Sequence, residues 1–227
     1  MTNTVAVIVA HPDDEVLGCG GTIARMVNQG KSVHVLLMAD GESSRWTKDN
    51  INEASLKARH VAADRACKIL GCTSLSFAGL PDNRMDRVDL LDVIKLIEEF
   101  ISKHRPSMII THHSGDVNID HQIVHEAVIV ATRPQPDFFV KELLFFEVPS
   151  STEWRPTSSG NVFNPNYFID ISETIDIKIK AIKEYQNELR QFPHPRSIEG
   201  ISSLSRWRGV SVGFEAAEAF ILGRKLV

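Results

Sequence analysis

The sequence predicts an α/β fold of the three-layer, Rossmann-like kind, with a mostly parallel sheet and helices on both faces. Three observations predict it. Short apolar runs alternate with longer segments of helical periodicity along the chain, the pattern of parallel strands joined by helical crossovers. The first of these runs, residues 5–10, is β-branched and almost wholly apolar, as expected of a strand covered on both faces. Hydrophobic residues make up 43% and charged residues 24% of the 227, which suits one soluble domain with a core that needs no staples.

Residues 5–10 form the first strand. Residues 16–29 place apolar side chains at helical spacing, contain Gly20-Gly21, and meet Gly30 at a C-cap position. A second strand over 32–38 ends in Ala39-Asp40-Gly41. Residues 52–70 are a helix stopped by Gly71, and 74–77 a short third strand. An amphipathic helix over 88–103 leads to a fourth strand at 107–111. Residues 120–132 are helical, and 142–148 return as a strand. The run 152–166, with Pro, Ser, Gly and Asn throughout, is a loop rather than a linker, because the segment after it is too short to stand alone. A strand over 167–171 and helices over 172–191 and 214–222 complete the expected set. No repeat or low-complexity tract divides the chain, so residues 1–227 are expected to form a single domain.

Composition excludes several roles. A net charge of −4 offers no basic face for nucleic acid and no polybasic patch for a membrane surface. No stretch reaches transmembrane length, so no stable membrane insertion is expected. The three cysteines, Cys19, Cys67 and Cys72, are odd in number, lack metal-type spacing, and suit a reducing compartment. Met1-Thr2-Asn3-Thr4 has no basic n-region before the first strand, so the expected location is the cytoplasm.

The chemistry concentrates where the first strand ends, at Ala10-His11-Pro12-Asp13-Asp14-Glu15. A helix start tolerates carboxylates, and capping accounts for one or two of them; it does not account for the His-Pro before them. A second cluster lies beyond the fourth strand: Thr111-His112-His113-Ser114-Gly115-Asp116-Val117-Asn118-Ile119-Asp120-His121, then His125. In a doubly wound sheet the first and fourth strands are often neighbours across the switch point, where ligands gather. His11, Asp14 and His121 can then converge. Two imidazoles and a carboxylate with an open fourth position describe a catalytic zinc site rather than a structural one. His11 and Asp14, at i and i+3, face one point. Asp13 faces elsewhere, free to act as general base and then as proton donor to a leaving nitrogen.

In these motifs the chain resembles the PIG-L/LmbE family of zinc-dependent N-acetyl-sugar deacetylases. His-Pro-Asp-Asp-Glu at 11–15 and Asn-Ile-Asp-His at 118–121 carry the likeness, supported by Asp40-Gly41, Leu80-Pro81-Asp82-Asn83-Arg84, and Arg208-Gly209 through Ala217-Glu218-Ala219-Phe220. The resemblance implies one zinc per subunit, or another divalent ion, on His11, Asp14 and His121, with Asp13 as base. It implies hydrolysis of the acetamide of a 2-acetamido sugar, free or nucleotide-, lipid- or glycoside-linked, to a free amine and acetate. A homo-oligomer is implied by the resemblance alone.

One departure matters. The family's second motif begins with histidine, taken to stabilise the oxyanion; here that position is Asn118. An asparagine amide serves as a neutral oxyanion donor but supplies no proton. His125, four residues beyond His121 on the same helical face, is the alternative for that task, and is also read as a third ligand or a plain helix histidine. For Asn118 the competing reading is an N-cap. Asp120 is read as orienting an imidazole or complementing the helix start, Glu15 as fixing the loop by hydrogen bonds, and His112 and His113 as half-buried loop histidines. For substrate binding, Arg59 matches an arginine common in the family; Arg84 and Asp40, with Ser43 and Ser44, compete with surface-charge and turn-capping readings. Residues 192–197, Trp154 and Arg206-Trp207-Arg208 either roof the pocket or form a subunit contact. Two other functions stand beside the sugar deacetylase: a metal-dependent amidase on a non-sugar or thiol-conjugated amide, and a non-catalytic sugar- or nucleotide-binding module. No Gly-x-Gly-x-x-Gly comes after the first strand, which argues against a dinucleotide enzyme.

Overall fold

A computed structural model describes residues 3–45, 52–135 and 138–227, so Met1 and Thr2 of the N-terminal expectation lie outside the described residues. Seven strands form one sheet: β1 (Thr4–Val9), β2 (Ser32–Ala39), β3 (Ser74–Leu80), β4 (Met108–His112), β5 (Glu142–Phe146), β6 (Tyr167–Asp170) and β7 (Ala217–Lys225). Their spatial order is β3-β2-β1-β4-β5-β7-β6. The first five run parallel, and β7 lies antiparallel between β5 and β6. The helices are α1 (Asp14–Asn28), α2 (Glu53–Leu70), α3 (Leu90–His104), α4 (Ile119–Ala131), α5 (Ile175–Ile182) and α6 (Ile198–Val210).

The period of two along β1 divides the core into layers. Val5, Val7 and Val9 join one buried cluster with Ile23 of α1, Ala63 and Leu70 of α2, Ile182 of α5 and Ile201 of α6. Ala6, Ile8 and Ala10 join the other, with Val93 and Ile97 of α3 and Val124 and Val128 of α4. β1 pairs with β2 on one side and β4 on the other, so the chain order reverses at β1. The loops leaving β1 and β4 therefore open a crevice at their carboxyl ends, as the switch-point rule requires.

The C-terminal third corrects three expectations. Residues 217–225 form strand β7, where a helix over 214–222 was expected. The run Ala217-Glu218-Ala219-Phe220-Ile221-Leu222 is apolar at nearly every position, and its first four residues are buried. A run of that kind reads equally as helix or covered strand, and pairing with β5 and β6 decides it. Helix 172–191 is limited to α5, with turns continuing to residue 197. Helix α6 was not anticipated, because its serines and two glycines weaken the helical pattern; Ser197 caps it by accepting the Gly200 N–H at 2.9 Å.

Helix α1 is broken at Cys19, whose φ of −147° leaves the helical region. The break frees polar groups of both halves, and one buried ion pair satisfies them. Glu218 accepts the N–H groups of Gly21 and Thr22 at 3.0 and 2.7 Å. Lys178 Nζ donates to the Leu17 carbonyl at 2.9 Å and to Glu218 at 2.5 Å. Gly21 is required here: a Cβ would lie 2.8 Å from Ile171.

Candidate active site

The site is built on the two loops that leave β1 and β4. Asp13 sits between β1 and α1 with φ 117°, ψ −27°, a backbone state that costs a non-glycine residue about 1–3 kcal/mol and persists only where neighbours enforce it. Glu15 is the enforcer. Fully buried, it accepts the Asp13 N–H at 3.0 Å and the Tyr185 hydroxyl at 2.6 Å. Burial pushes the Glu15 carboxyl up to about 8, against the lowering effect of those two hydrogen bonds.

Three ligating atoms meet at one point. His11 Nδ1 lies 3.2 Å from Asp14 Oδ2 and 3.3 Å from His121 Nε2, and His121 Nε2 lies 3.3 Å from Asp14 Oδ2. The triangle is nearly equilateral. A tetrahedral zinc ion with bonds of about 2.0–2.1 Å sets its ligands about 3.3 Å apart, so the donor set fits such an ion. Asp14 Oδ1 is buried without a hydrogen-bond partner among the described residues, which suits a carboxylate whose charge is met by a cation. Burial opposes charge on both imidazoles, yet neighbouring carboxylates win: Asp120, Asp14 and Asp82 hold His11 well above its usual range, and Asp14 and Asp116 raise His121 to about 9. The centre thus demands positive charge. A bound cation would meet that demand with neutral imidazoles.

The remaining nitrogen of each imidazole lies beside a carboxylate, the placement that would suit metal-ligating histidines. His11 Nε2 faces Asp82 Oδ1 at 3.1 Å and Asp120 Oδ2 at 3.2 Å. Asp120 is itself fixed by the N–H groups of Asn83 and Met85 at 2.7 and 3.0 Å. His121 Nδ1 faces Asp116 Oδ2 at 3.2 Å. Asp116 accepts from Thr152 Oγ1 at 2.6 Å, from the Asn118 N–H at 2.8 Å, and from Ser151 Oγ. His112, fully buried rather than half-buried, stacks on His121 with ring centroids 3.9 Å apart and accepts the Ala10 N–H at 2.8 Å.

Asp13 lines a polar cavity of about 180 Å³ together with His11, Asp82, Asn118, Arg59 and Arg196. Burial pushes its carboxyl up to about 6, against the opposing charge of Arg196, whose Nη1 lies 3.0 Å from Asp13 Oδ2. Behind Arg196 stands an ion network whose inner members are buried. Arg59 donates to Glu42 at 2.7 Å and Glu188 at 2.5 Å, the exposed Arg45 bridges the same two carboxylates, and Glu188 lies 3.7 Å from Arg196.

The other residues singled out in the sequence lie outside the ligand triangle. Asn118 lines the cavity and caps α4, its Oδ1 accepting the Asp120 N–H at 2.8 Å while its Nδ2 donates to Asn83 Oδ1 at 2.9 Å. His125 lies apart from the cavity lining, donating Nδ1–H to the His112 carbonyl at 2.9 Å with its ring edge against Phe145. Asp40 Oδ1 accepts the N–H groups of Glu42 and Ser43, both at 2.8 Å, closing the turn after β2. Arg84 is exposed beside Asn83, which does line the cavity. The sequence assigns no role to Asp116 or Glu188. Arg196 belongs to the 192–197 stretch read as pocket roof or subunit contact, and it lines the cavity. Asp82 belongs to the supporting motif at 80–84, just after β3 at the same carboxyl edge of the sheet.

Known proteins resemble this chain in sequence and in fold. The family model described as PIG-L, GlcNAc-PI de-N-acetylase, matches residues 6–132. The uncharacterized deacetylase YaiS of Escherichia coli is 31% identical over 81% of this chain and 90% of its own length. The diacetylchitobiose deacetylase of Thermococcus kodakarensis is 28% identical over 83% and 70%, and the 4-oxalmesaconate hydratase of Pseudomonas putida 30% identical over 78% and 70%. The conserved protein TT1542 of Thermus thermophilus shares the fold, with a TM-score of 0.79 at 23% identity over 100% of this chain and 97% of that one.

Proposed function

This chain belongs to the PIG-L, GlcNAc-PI de-N-acetylase family, and from that premise we propose that it is a zinc-dependent hydrolase removing the N-acetyl group from a 2-acetamido sugar. The observation that carries the reading is the donor triangle of His11, Asp14 and His121 beside the Asp13 carboxylate. Zinc held by these three residues would supply Lewis acidity and a readily deprotonated water. The chain's own residues do the rest. Asp13, held in place through Glu15, takes a proton from the attacking water and returns it to the amine nitrogen. Asn118 Nδ2 carries a second hydrogen beyond the one given to Asn83 and donates it to the developing oxyanion. Asp116, Asp82 and Asp120 keep the ligand imidazoles in orientation. Arg59 acts through Glu188, which braces Arg196. The polar lining suits a polyhydroxylated ring.

One observation favours a second reading: the hydratase relative is as similar as the deacetylases, and a carboxylate base beside a metal also adds water to a carbon–carbon double bond. Incubating the zinc-loaded protein with N-acetylglucosamine conjugates and, separately, with an unsaturated dicarboxylate separates the two by product mass. Acetate and a free amine are the expected products; a gain of one water on the dicarboxylate, with no acetate from any sugar, would replace the first reading by the second.

A further inference from the structure

We propose that Arg196 is a catalytic residue, the cationic donor that holds the amide oxygen as it becomes an oxyanion. The inference rests on the deacetylase reading above and assigns a residue which that reading leaves only braced. Each edge of the guanidinium has a defined use. Nε donates to Ser150 Oγ at 2.6 Å and, more weakly, to the Pro149 carbonyl at 3.4 Å. Nη1 donates to Asp13 Oδ2 at 3.0 Å and lies 3.7 Å from Glu188. Nη2 makes no hydrogen bond among the described residues, while the side chain lines the same cavity as Asp13, His11 and Asn118.

The planar fork makes this arrangement informative. With Nη1 fixed on the base, Nη2 is held one guanidinium edge from that same carboxylate. The fork is anchored at its root by Ser150 and at its side by Glu188, and Glu188 is gripped by Arg59 and Arg45. Such a group is preorganised, as oxyanion donors need to be. Asn118, the other donor on the cavity wall, is neutral, with one Nδ2 hydrogen given to Asn83 and its Oδ1 capping α4. Of the arginines lining the cavity, Arg196 is the one that donates to Asp13.

Each step conserves atoms and charge. A water proton passes to the Asp13 carboxylate, the water oxygen bonds the acyl carbon, and the carbonyl π pair moves onto oxygen, where Arg196 Nη2–H donates. Neutralising Asp13 releases Arg196 from its counter-charge as the oxyanion appears. When the carbon–nitrogen bond breaks, the carbonyl re-forms, nitrogen takes the proton from Asp13, and Arg196 again pairs with the carboxylate. Acetic acid and the free amine leave, and the acid gives its remaining proton to bulk water, becoming acetate.

The test compares wild type, Arg196→Lys and Arg196→Ala, each zinc-loaded, on an acetamido sugar that wild type hydrolyses. Removing one oxyanion donor lowers kcat by about 10²–10³-fold. We expect that loss in Arg196→Ala with KM within about threefold, unchanged zinc content, and partial recovery of kcat on adding guanidinium chloride at millimolar concentration. We also expect a methylphosphonamide of the same sugar, a tetrahedral anion, to lose affinity by calorimetry in both variants while the product amine does not. A rise in KM at constant kcat, or equal losses for phosphonamide and amine, would overturn the assignment in favour of ground-state binding. Arg196→Lys keeps the charge without the fork and guards against misfolding of the alanine variant. If wild type itself releases no acetate from any sugar, the deacetylase reading has failed; if wild type is active and Arg196→Ala keeps its kcat, only the role of Arg196 has.

Discussion

At the scale of single residues, the proposed function divides the work of the two adjacent aspartates by backbone geometry. Asp14 opens α1 and turns its carboxylate inward to the two imidazoles; Asp13, in its left-handed conformation, turns outward to the cavity. Asp14→Ala is therefore expected to abolish stoichiometric zinc binding, while Asp13→Asn keeps the zinc and lowers kcat by about 10²–10⁴-fold, the usual range for losing a general base. Metal analysis beside a rate assay separates them, and an Asp14→Ala protein that retains zinc contradicts the ligand assignment. Asn118 has two tasks that separate in the same way. Asn118→Ala removes a helix cap, at about 1 kcal/mol, and an oxyanion donor, at about 10²-fold in kcat. A lowered Tm with unchanged kcat would leave Asn118 as a cap only.

At the scale of elements, the site depends on a helix whose break is held open by buried charge. The half of α1 that carries Asp14 and Glu15 ends at the Cys19 kink, and the pair Glu218–Lys178 satisfies the exposed groups of both halves. Glu218→Ala leaves Lys178 buried without its partner, a change that costs about 3–5 kcal/mol. Chemical denaturation should show a loss of that size, and a loss below about 1 kcal/mol would mean that the kink is held by other contacts. Half of this feature is legible in the sequence. Gly20-Gly21 signals an irregular helix, but Glu218 falls on an expected helix that is strand β7, 197 residues beyond Gly21. Long-range pairing, invisible to local periodicity, makes the difference.

At the scale of the whole molecule, the legible part of the fold is the parallel core. β1 to β5 are apolar runs separated by helices, so period and spacing identify them and the switch point between β1 and β4. The antiparallel addition is less legible, because β7 enters between β5 and β6 from the chain's end and its near-continuous apolar run fits either period. The site divides along the same line. His11, Asp13, Asp14 and His121 sit in two short motifs; Asp82, Asp116, Glu188 and Arg196 are brought to it by the folded sheet. A ligand set drawn from two separate strand-to-helix connections would tie a bound metal to global stability. Zinc at about one hundred times its Kd is expected to stabilise the fold by about 2.7 kcal/mol, a Tm rise on the order of 5–10 °C for a chain of this length, and Asp14→Ala should show none. The most direct measurement of the central claim is acetate counted against free amine for wild type and Asp13→Asn, each carrying one zinc per chain. The expected result is one acetate per amine from wild type and at least a hundredfold lower rate from the variant. Equal rates from the two proteins, or no acetate from the zinc-loaded wild type, would contradict it.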